Sequence, residues 1–91
     1  MMDTSRGTDY DKKIRDFVAA QEGVVAVDKV YSRMFGNKVY IDLEIEVDRN
    51  ITVSEGHDIA ERVHVLLEQN FDDVKHVMVH VNPAPESVSA K

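Results

Sequence analysis

The sequence contains no cysteine, and this absence removes several kinds of chemistry at once. Disulfide bonds, thiolate zinc sites and cysteine nucleophiles are all excluded, and nitrogen and oxygen become the expected metal ligands. Uninterrupted apolar runs are also short, Val24 to Val27 being an example. A membrane helix needs roughly 20 apolar residues, and no signal-peptide pattern opens the chain. We therefore expect this chain to be soluble.

Positive charge is in short supply, with 11 Lys and Arg against 17 Asp and Glu and a net charge of -6. Nucleic acids and anionic lipids bind clustered basic residues, so both are unfavoured and cations become the expected partners. Hydrophobic residues make up 43% of the 91 residues, which is typical of a globular domain. A domain this small has marginal stability, so a second subunit or a bound metal could contribute to it.

The pattern of apolar residues predicts two helices and three strands in the order α-β-β-α-β. Two possible capping boxes, at Thr8 to Asp11 and at Thr52 to Glu55, each predict the start of a helix. A Gly36-Asn37 turn separates two β-rich segments and predicts a hairpin. The predicted boundaries are a first helix ending at Gly23, strands over 24–35 and 38–48, a second helix ending near Asn70, and a strand over 73–81.

Strict alternation in the second and third strands divides the predicted sheet into a core face and an exposed face. In the second strand the core face carries Val39, Ile41, Leu43, Ile45 and Val47, and the exposed face carries Tyr40, Asp42, Glu44, Glu46 and Asp48. In the third strand the core face carries Val77, Val79 and Val81, and the exposed face carries Val74, His76, Met78, His80 and Asn82.

These elements predict an α+β, ferredoxin-like two-layer sandwich with a three-stranded mixed sheet. The strand-helix-strand step should be a right-handed parallel crossover, with both helices on the apolar face of the sheet. If the third strand pairs with the second, the strand order is 1-2-3. The row of acidic residues then lies beside His76, Met78 and His80.

Imidazole and carboxylate groups on that face are suitable ligands for divalent transition metals, and Asp42, Glu44, His76 and His80 are candidates. Without other information, a solvated polar face is the more common explanation of such a pattern. A second stripe, His57, Glu61, His64 and Glu68 on the second helix, is also more often a solvated helix face. No nucleophile elbow, zinc-protease motif or phosphate-binding glycine loop is present, so we do not expect an enzyme.

Three segments of the sequence resemble the cytosolic C-terminal domain of the cation diffusion facilitators. They are the run from Tyr40 to Asp48, the run from Thr52 to Ala60 with its Glu55-Gly56-His57 triplet, and the final His80-Val81-Asn82-Pro83. The resemblance extends from about Tyr10 to Pro83, and the Tyr40 and Asp42 pattern is similar to the magnetosome branch of the family. It implies a metallochaperone-like fold, a homodimer, and a cytosolic domain attached to the transmembrane domain of the same full-length transporter.

The resemblance also implies a metal site whose first members are Asp42, His57 and His80. Three further positions depart from the family pattern: Glu44 replaces a frequent histidine, Asn82 a frequent aspartate, and Asp28 a histidine of some zinc transporters. More carboxylates and fewer imidazoles favour a weaker site or harder ions such as Mn or Fe(II), although Zn or Cu can compete. The expected ion is therefore divalent Zn, Fe or Mn.

Domain boundaries follow from the same reading, with a flexible lead-in over 1–8, the domain over 9–83 and a flexible tail over 84–91. The expected function is a regulatory and dimerisation domain in which metal binding stabilises a closed dimer and promotes transport. The alternative is a self-standing regulatory module with the same fold that binds a metal or a small ligand.

Overall fold

The computed structural model describes residues 8–86 and confirms the α-β-β-α-β order. The elements are α1 (Thr8–Ala19), β1 (Ala26–Phe35), β2 (Lys38–Val47), α2 (Val53–Asn70) and β3 (Val74–Pro83). Helix α1 ends earlier than predicted, and the chain then turns through 20–24, where Gly23 has a φ of 91°. That backbone conformation is readily adopted by glycine, which explains why the turn is placed there.

The start of α2 confirms the predicted capping box. The Glu55 amide donates to the Thr52 hydroxyl at 3.0 Å, and the Thr52 amide donates to the Glu55 carboxylate at 2.9 Å. Two amides that the helix itself cannot satisfy thereby gain partners. This anchors the first turn of α2, on which His57 stands.

The sheet has the predicted order β1-β2-β3, with β1 antiparallel to β2 and β3 parallel to β2. Strand β2 is central, and its alternate side chains are buried on the helix-covered face as predicted: Val39, Ile41, Leu43, Ile45 and Val47. Gly36, with a φ of 64°, closes the tight hairpin between β1 and β2. Helix α1 packs against β1 and α2 packs against β3, which completes two layers.

Two irregularities interrupt the strand alternation. Asp28 is the extra residue of β1, between the Val27–Ile45 and Lys29–Glu44 pairs. Lys75 is the extra residue of β3, because Val39 pairs with Val74 while Tyr40 pairs with His76. The prediction that Val74 shares the exposed face with His76 is therefore wrong. The extra residue shifts the phase of the strand and turns Val74 into the core, where it is 3% exposed.

Polar and aromatic contacts tie the helices to the sheet. The buried Ser32 hydroxyl of β1 donates to the Asp11 carboxylate of α1 at 2.6 Å. The Phe71 ring, just after α2, makes edge contacts with Tyr10 at 6.2 Å and Phe17 at 5.5 Å between ring centroids. These ring contacts join the C-terminal end of α2 to α1.

Strand β3 continues to Pro83, two residues beyond its predicted end at Val81. Ala84, assigned above to the tail, is fully buried and its amide donates to the Val47 carbonyl at 2.8 Å. The fold thus includes Ala84, while 1–7 and 87–91 lie outside the described residues. Among residues 8–86, neither helix has the combination of length and apolar character needed to cross a membrane.

Candidate metal-binding face

The sheet surface opposite the helices, here called the outer face, brings most of the predicted ligands together. Parallel pairing of β2 with β3 places Tyr40 beside His76, Asp42 beside Met78, Glu44 beside His80, and Glu46 beside Asn82. Strand β1 adds Lys29 beside Glu44, and Tyr31, Arg33 and Phe35 further along the other edge of β2. The predicted juxtaposition of the acidic row with the histidine row is confirmed.

One end of the outer face, the acidic end, consists of Asp28, Glu44, Glu46 and Asn82. The Asn82 amide group is 3.3 Å from the Glu44 carboxylate and 3.5 Å from the Asp28 carboxylate, so it bridges β2 and the bulge of β1. Asp28, Glu44 and Asn82 are three residues that sequence comparison with the family had selected. The structure brings them into one cluster with oxygen ligands on three chain segments.

Glu46 belongs to the same cluster, although sequence reasoning did not select it as a ligand. A hydrogen bond that the protonated Glu46 carboxyl donates to Asp28, partial burial and the nearby negative charge of Asp28 together raise the pKa of the Glu46 carboxyl. The shift shows that two carboxyl groups are held close enough to disfavour ionisation of both. The bulge at Asp28 causes this proximity, and strand alternation alone does not reveal it.

Asp42 lies in the middle of the outer face and is already engaged by a cation. The Arg33 guanidinium is 3.6 Å from the Asp42 carboxylate, and the two side chains are 45% and 36% exposed. A salt bridge this open is weak, about 0 to 1 kcal/mol, so a metal ion could displace the arginine. The contact involves only Oδ2 of Asp42, so displacing Arg33 would leave both carboxylate oxygens open to an ion.

The other end of the outer face, the aromatic end, consists of Tyr31, Arg33, Phe35, Tyr40, His76 and Met78. The Tyr40 ring is 4.8 Å from Phe35 and 5.3 Å from the His76 ring, measured between centroids. The Arg33 guanidinium lies 5.6 Å above the Tyr31 ring. The outer face is therefore divided into an oxygen-rich end and an end of rings, imidazole and thioether.

His57 lies on the opposite side of the sheet from His80. It stands on the first turn of α2 and lines an open, mainly apolar groove of about 390 Å³ with Val79, Val81 and Pro83. His80 instead projects from the outer face beside Glu44. His57 thus stands on α2 and His80 on β3, and their membership of one metal site stays a prediction.

Part of the predicted histidine and glutamate stripe on α2 is explained by a contact within the helix. His64 and Glu68 are 3.1 Å apart, one helical turn from each other on the partly exposed side of α2. Such pairs are typical of a solvated helix surface. In the span from Thr8 to Glu86, no three His, Asp or Glu side chains are arranged to hold one metal ion.

Comparison with known proteins identifies the kind of domain that carries this face. Residues 8–84 match the family model described as the cytoplasmic domain of cation efflux proteins. The chain belongs to this family. The predicted resemblance to cation diffusion facilitators is confirmed, because the match covers nearly all of the described fold.

Two relatives of this cation efflux domain are proteins of Bacillus subtilis. The manganese efflux system protein MneP of Bacillus subtilis strain 168 is 26% identical over 83 residues, which are 91% of this chain and 28% of MneP. The uncharacterized transporter YdbO of the same organism is 40% identical over 62 residues, which are 68% of this chain and 21% of YdbO. The chain thus spans between 15% and 28% of the length of the curated relatives it matches.

Solved structures confirm the predicted fold class. The nickel form of a MamM CTD variant superimposes with a TM-score of 0.80 at 22% sequence identity, covering 86% of this chain and all of that one. Another, doubly substituted MamM CTD variant gives a TM-score of 0.81 at 21% identity, with 85% and 98% of the two chains covered. The cation efflux domain therefore has the same two-layer sandwich as these proteins.

Proposed function

We propose that this chain is a non-enzymatic regulatory and dimerisation domain of a divalent-cation transporter, and that metal ions bound at its outer face stabilise a closed dimer. The observation that carries the proposal is the acidic end, where Asp28, Glu44, Glu46 and Asn82 cluster beside His80 on the solvent-open side of the sheet. Membership of the cation efflux family supplies the context in which such a cluster would meet its ion.

The donor set of the acidic end fits a hard or borderline divalent ion. Its three carboxylates are oxygen donors and the single neighbouring imidazole is borderline, whereas Asn82 turns its amide nitrogen toward Glu44 and Asp28. Because no three His, Asp or Glu side chains of residues 8–86 are arranged around one ion, a second subunit would complete the donor set. Oxygen-rich sites suit Mn(II) and Fe(II) better than a histidine-rich site does, although Zn(II) can compete for the imidazole. The manganese efflux function of the relative MneP agrees with this preference.

A second subunit would bring further donors to the same place. The outer face also exposes Tyr31 and Phe35, which are 43% and 52% exposed, and this apolar surface is suited to contact with another protein chain. If two outer faces approach each other across a two-fold axis, an ion at the acidic end of one subunit can also be bound by donors of the other subunit. Neutralising the facing carboxylates with cations would then favour the closed arrangement over an open one.

His57 has a different place in this proposal from His80. His80 and Glu44 are neighbours on the outer face, whereas His57 lies across the sheet at the mouth of the groove. We therefore treat the contribution of His57 as a separate question, since it could bind the same ion, an ion shared with another subunit, or a separate ion. Ligand imidazoles must be unprotonated, so binding at either histidine should weaken at acidic pH.

Titration calorimetry with Mn(II) and Zn(II) tests the proposed site. Glu44→Gln and His80→Ala should each weaken divalent binding by at least about tenfold, because both remove a direct ligand. His64→Ala is the control, since its imidazole is paired locally with Glu68. Undiminished binding in both outer-face variants would contradict the proposed site. His57→Ala, measured separately, shows whether the helix histidine belongs to it.

The whole-protein context is tested by the full-length gene. If the domain belongs to a transporter, about six apolar stretches of some 20 residues should be encoded upstream of it. A reading frame without such stretches would favour the alternative, a self-standing regulatory module of the same fold.

A further inference from the structure

We propose that His76 and Met78 form a second cation site on the aromatic end of the outer face, selective for soft monovalent ions with the chemistry of Cu(I) and Ag(I). This site differs from the proposed divalent site in its donors, in its position and in the ion that it prefers. It does not depend on the acidic end being a metal site.

The two donors lie next to each other on one face of one strand. His76 and Met78 are separated by a single residue in the regular part of β3 beyond the bulge, and both are exposed. Alternate residues of a strand are about 6.6 Å apart, a span that an imidazole and a thioether can bridge by leaning toward a common ion. No change of backbone is required.

Met78 supplies a kind of donor that is otherwise scarce in this chain. With no cysteine, methionine is the only source of sulfur ligands. Of the four methionines, Met1 and Met2 lie outside the described residues and Met34 is packed against the core. Met78 is 46% exposed and is flanked on its own face by His76 and His80. Thioethers prefer Cu(I) among biological metal ions and are poor ligands for Mn(II) or Mg(II), so this pair discriminates by softness.

The surroundings of the pair favour a weakly hydrated cation. The Tyr40 ring lies 5.3 Å from the His76 ring, and Phe35 contacts the other side of Tyr40 at 4.8 Å. Aromatic faces attract cations, and the Tyr40 ring contacts one side of the His76 ring. A large, soft monovalent ion loses less hydration here than a divalent ion would.

The nearest carboxylate does not convert the pair into a divalent site. Asp42 is the strand neighbour of Met78, but its carboxylate is paired with the Arg33 guanidinium at 3.6 Å. The free carboxylates are concentrated at the opposite end, beside His80 and Asn82. The two ends of the outer face therefore offer chemically distinct donor sets.

Silver titration of the 91-residue chain tests the soft site, with Ag(I) as a redox-stable probe and the methionine methyl groups observed by NMR. One equivalent of Ag(I) should shift the Met78 methyl resonance and leave that of Met34 unchanged. Met78→Leu should weaken Ag(I) binding by at least about tenfold, because it removes a direct ligand at nearly constant volume. Met34→Leu is the matched control and should bind as the wild type does.

Two histidine variants complete the test. His76→Gln should weaken Ag(I) binding as strongly as Met78→Leu does, while His80→Gln should leave it unchanged and weaken divalent binding instead. Undiminished Ag(I) binding in Met78→Leu, or a requirement for His80 rather than His76, would overturn the soft site. Failure of the divalent site appears separately, as Mn(II) and Zn(II) binding that is insensitive to Glu44→Gln.

Discussion

Asp28 and Glu46 share a hydrogen bond at the acidic end of the outer face, and this contact raises the pKa of the Glu46 carboxyl. The bulge in β1 leaves Asp28 without a β2 partner and lets its carboxylate approach Glu46. Two carboxyl groups held in this way favour sharing one proton. A divalent cation could replace that proton, so the pair links metal binding to proton release.

The first prediction concerns the pH dependence of stability. Because the pKa of Glu46 is above its ordinary value of 4.5 in the folded chain, protonation of Glu46 favours folding. That contribution is fully present below the ordinary value and is lost as pH rises through the raised value. Asp28→Asn removes the neighbouring negative charge and should reduce this loss of stability. The melting temperature of the variant minus that of the wild type should therefore be larger at about pH 7 than at about pH 4.

Thermal unfolding in the presence of a chelator measures this difference. Asp72→Asn is a suitable control because Asp72 is exposed and lies outside the acidic end. A difference between wild type and Asp28→Asn that does not change with pH would show that the two carboxyl groups are not coupled.

The second prediction concerns the central strand. Leu43 is fully buried between the two layers, so Leu43→Ala should destabilise the fold by about 2 to 5 kcal/mol through lost burial and a residual cavity. Val53→Ala should change stability by less than about 0.5 kcal/mol, because Val53 is 91% exposed. Urea denaturation of both variants tests this, and comparable losses in the two would place the core elsewhere.

The third prediction concerns the first turn of α2. Thr52→Ala removes the hydroxyl that accepts from the Glu55 amide and should cost about 1 kcal/mol. Ser54→Ala, two residues further along in the same exposed turn, should be nearly neutral. Because His57 stands on this turn, the Thr52 variant also tests whether ordering of the helix start affects metal affinity. Equal stability of the two variants would contradict the capping role.

The fourth prediction concerns the dimer surface. Light scattering should give twice the 10.3 kDa chain mass for the wild type. Tyr31→Glu should shift the protein toward monomer, because a charge on the proposed interface must be desolvated in the dimer. Val65→Glu, at a similarly exposed position on α2, should leave the dimer intact. If Val65→Glu disrupts the dimer and Tyr31→Glu does not, the interface lies on the helices and not on the sheet.

The fold was largely predictable because its strongest patterns are local. The alternation in β2 and the capping box before α2 each specify an element and its buried side, and both are confirmed. The errors occurred where the chain departs from regular spacing. The bulge at Lys75 turned Val74 inward, and the fold continued to Ala84 because Val47 offers a carbonyl to its amide.

The candidate site was predictable only in part, for a related reason. Strand pairing correctly placed Glu44 beside His80, since register alone decides it. The contact between Asp28 and Glu46 depends on a bulge, and the separation of His57 from His80 depends on which layer each one faces. These are three-dimensional relations between segments, and a one-dimensional periodicity does not contain them.

The extra residue at Lys75 also determines how positions in β3 can be matched with those of related sequences. A family member without that residue would present the start of β3 with the opposite alternation relative to its later part. Positions after Lys75, including His76 and His80, can be matched by counting along the strand, but positions before it cannot. A single insertion or deletion in this short stretch would therefore exchange a core valine for a solvent-facing side chain at the start of β3.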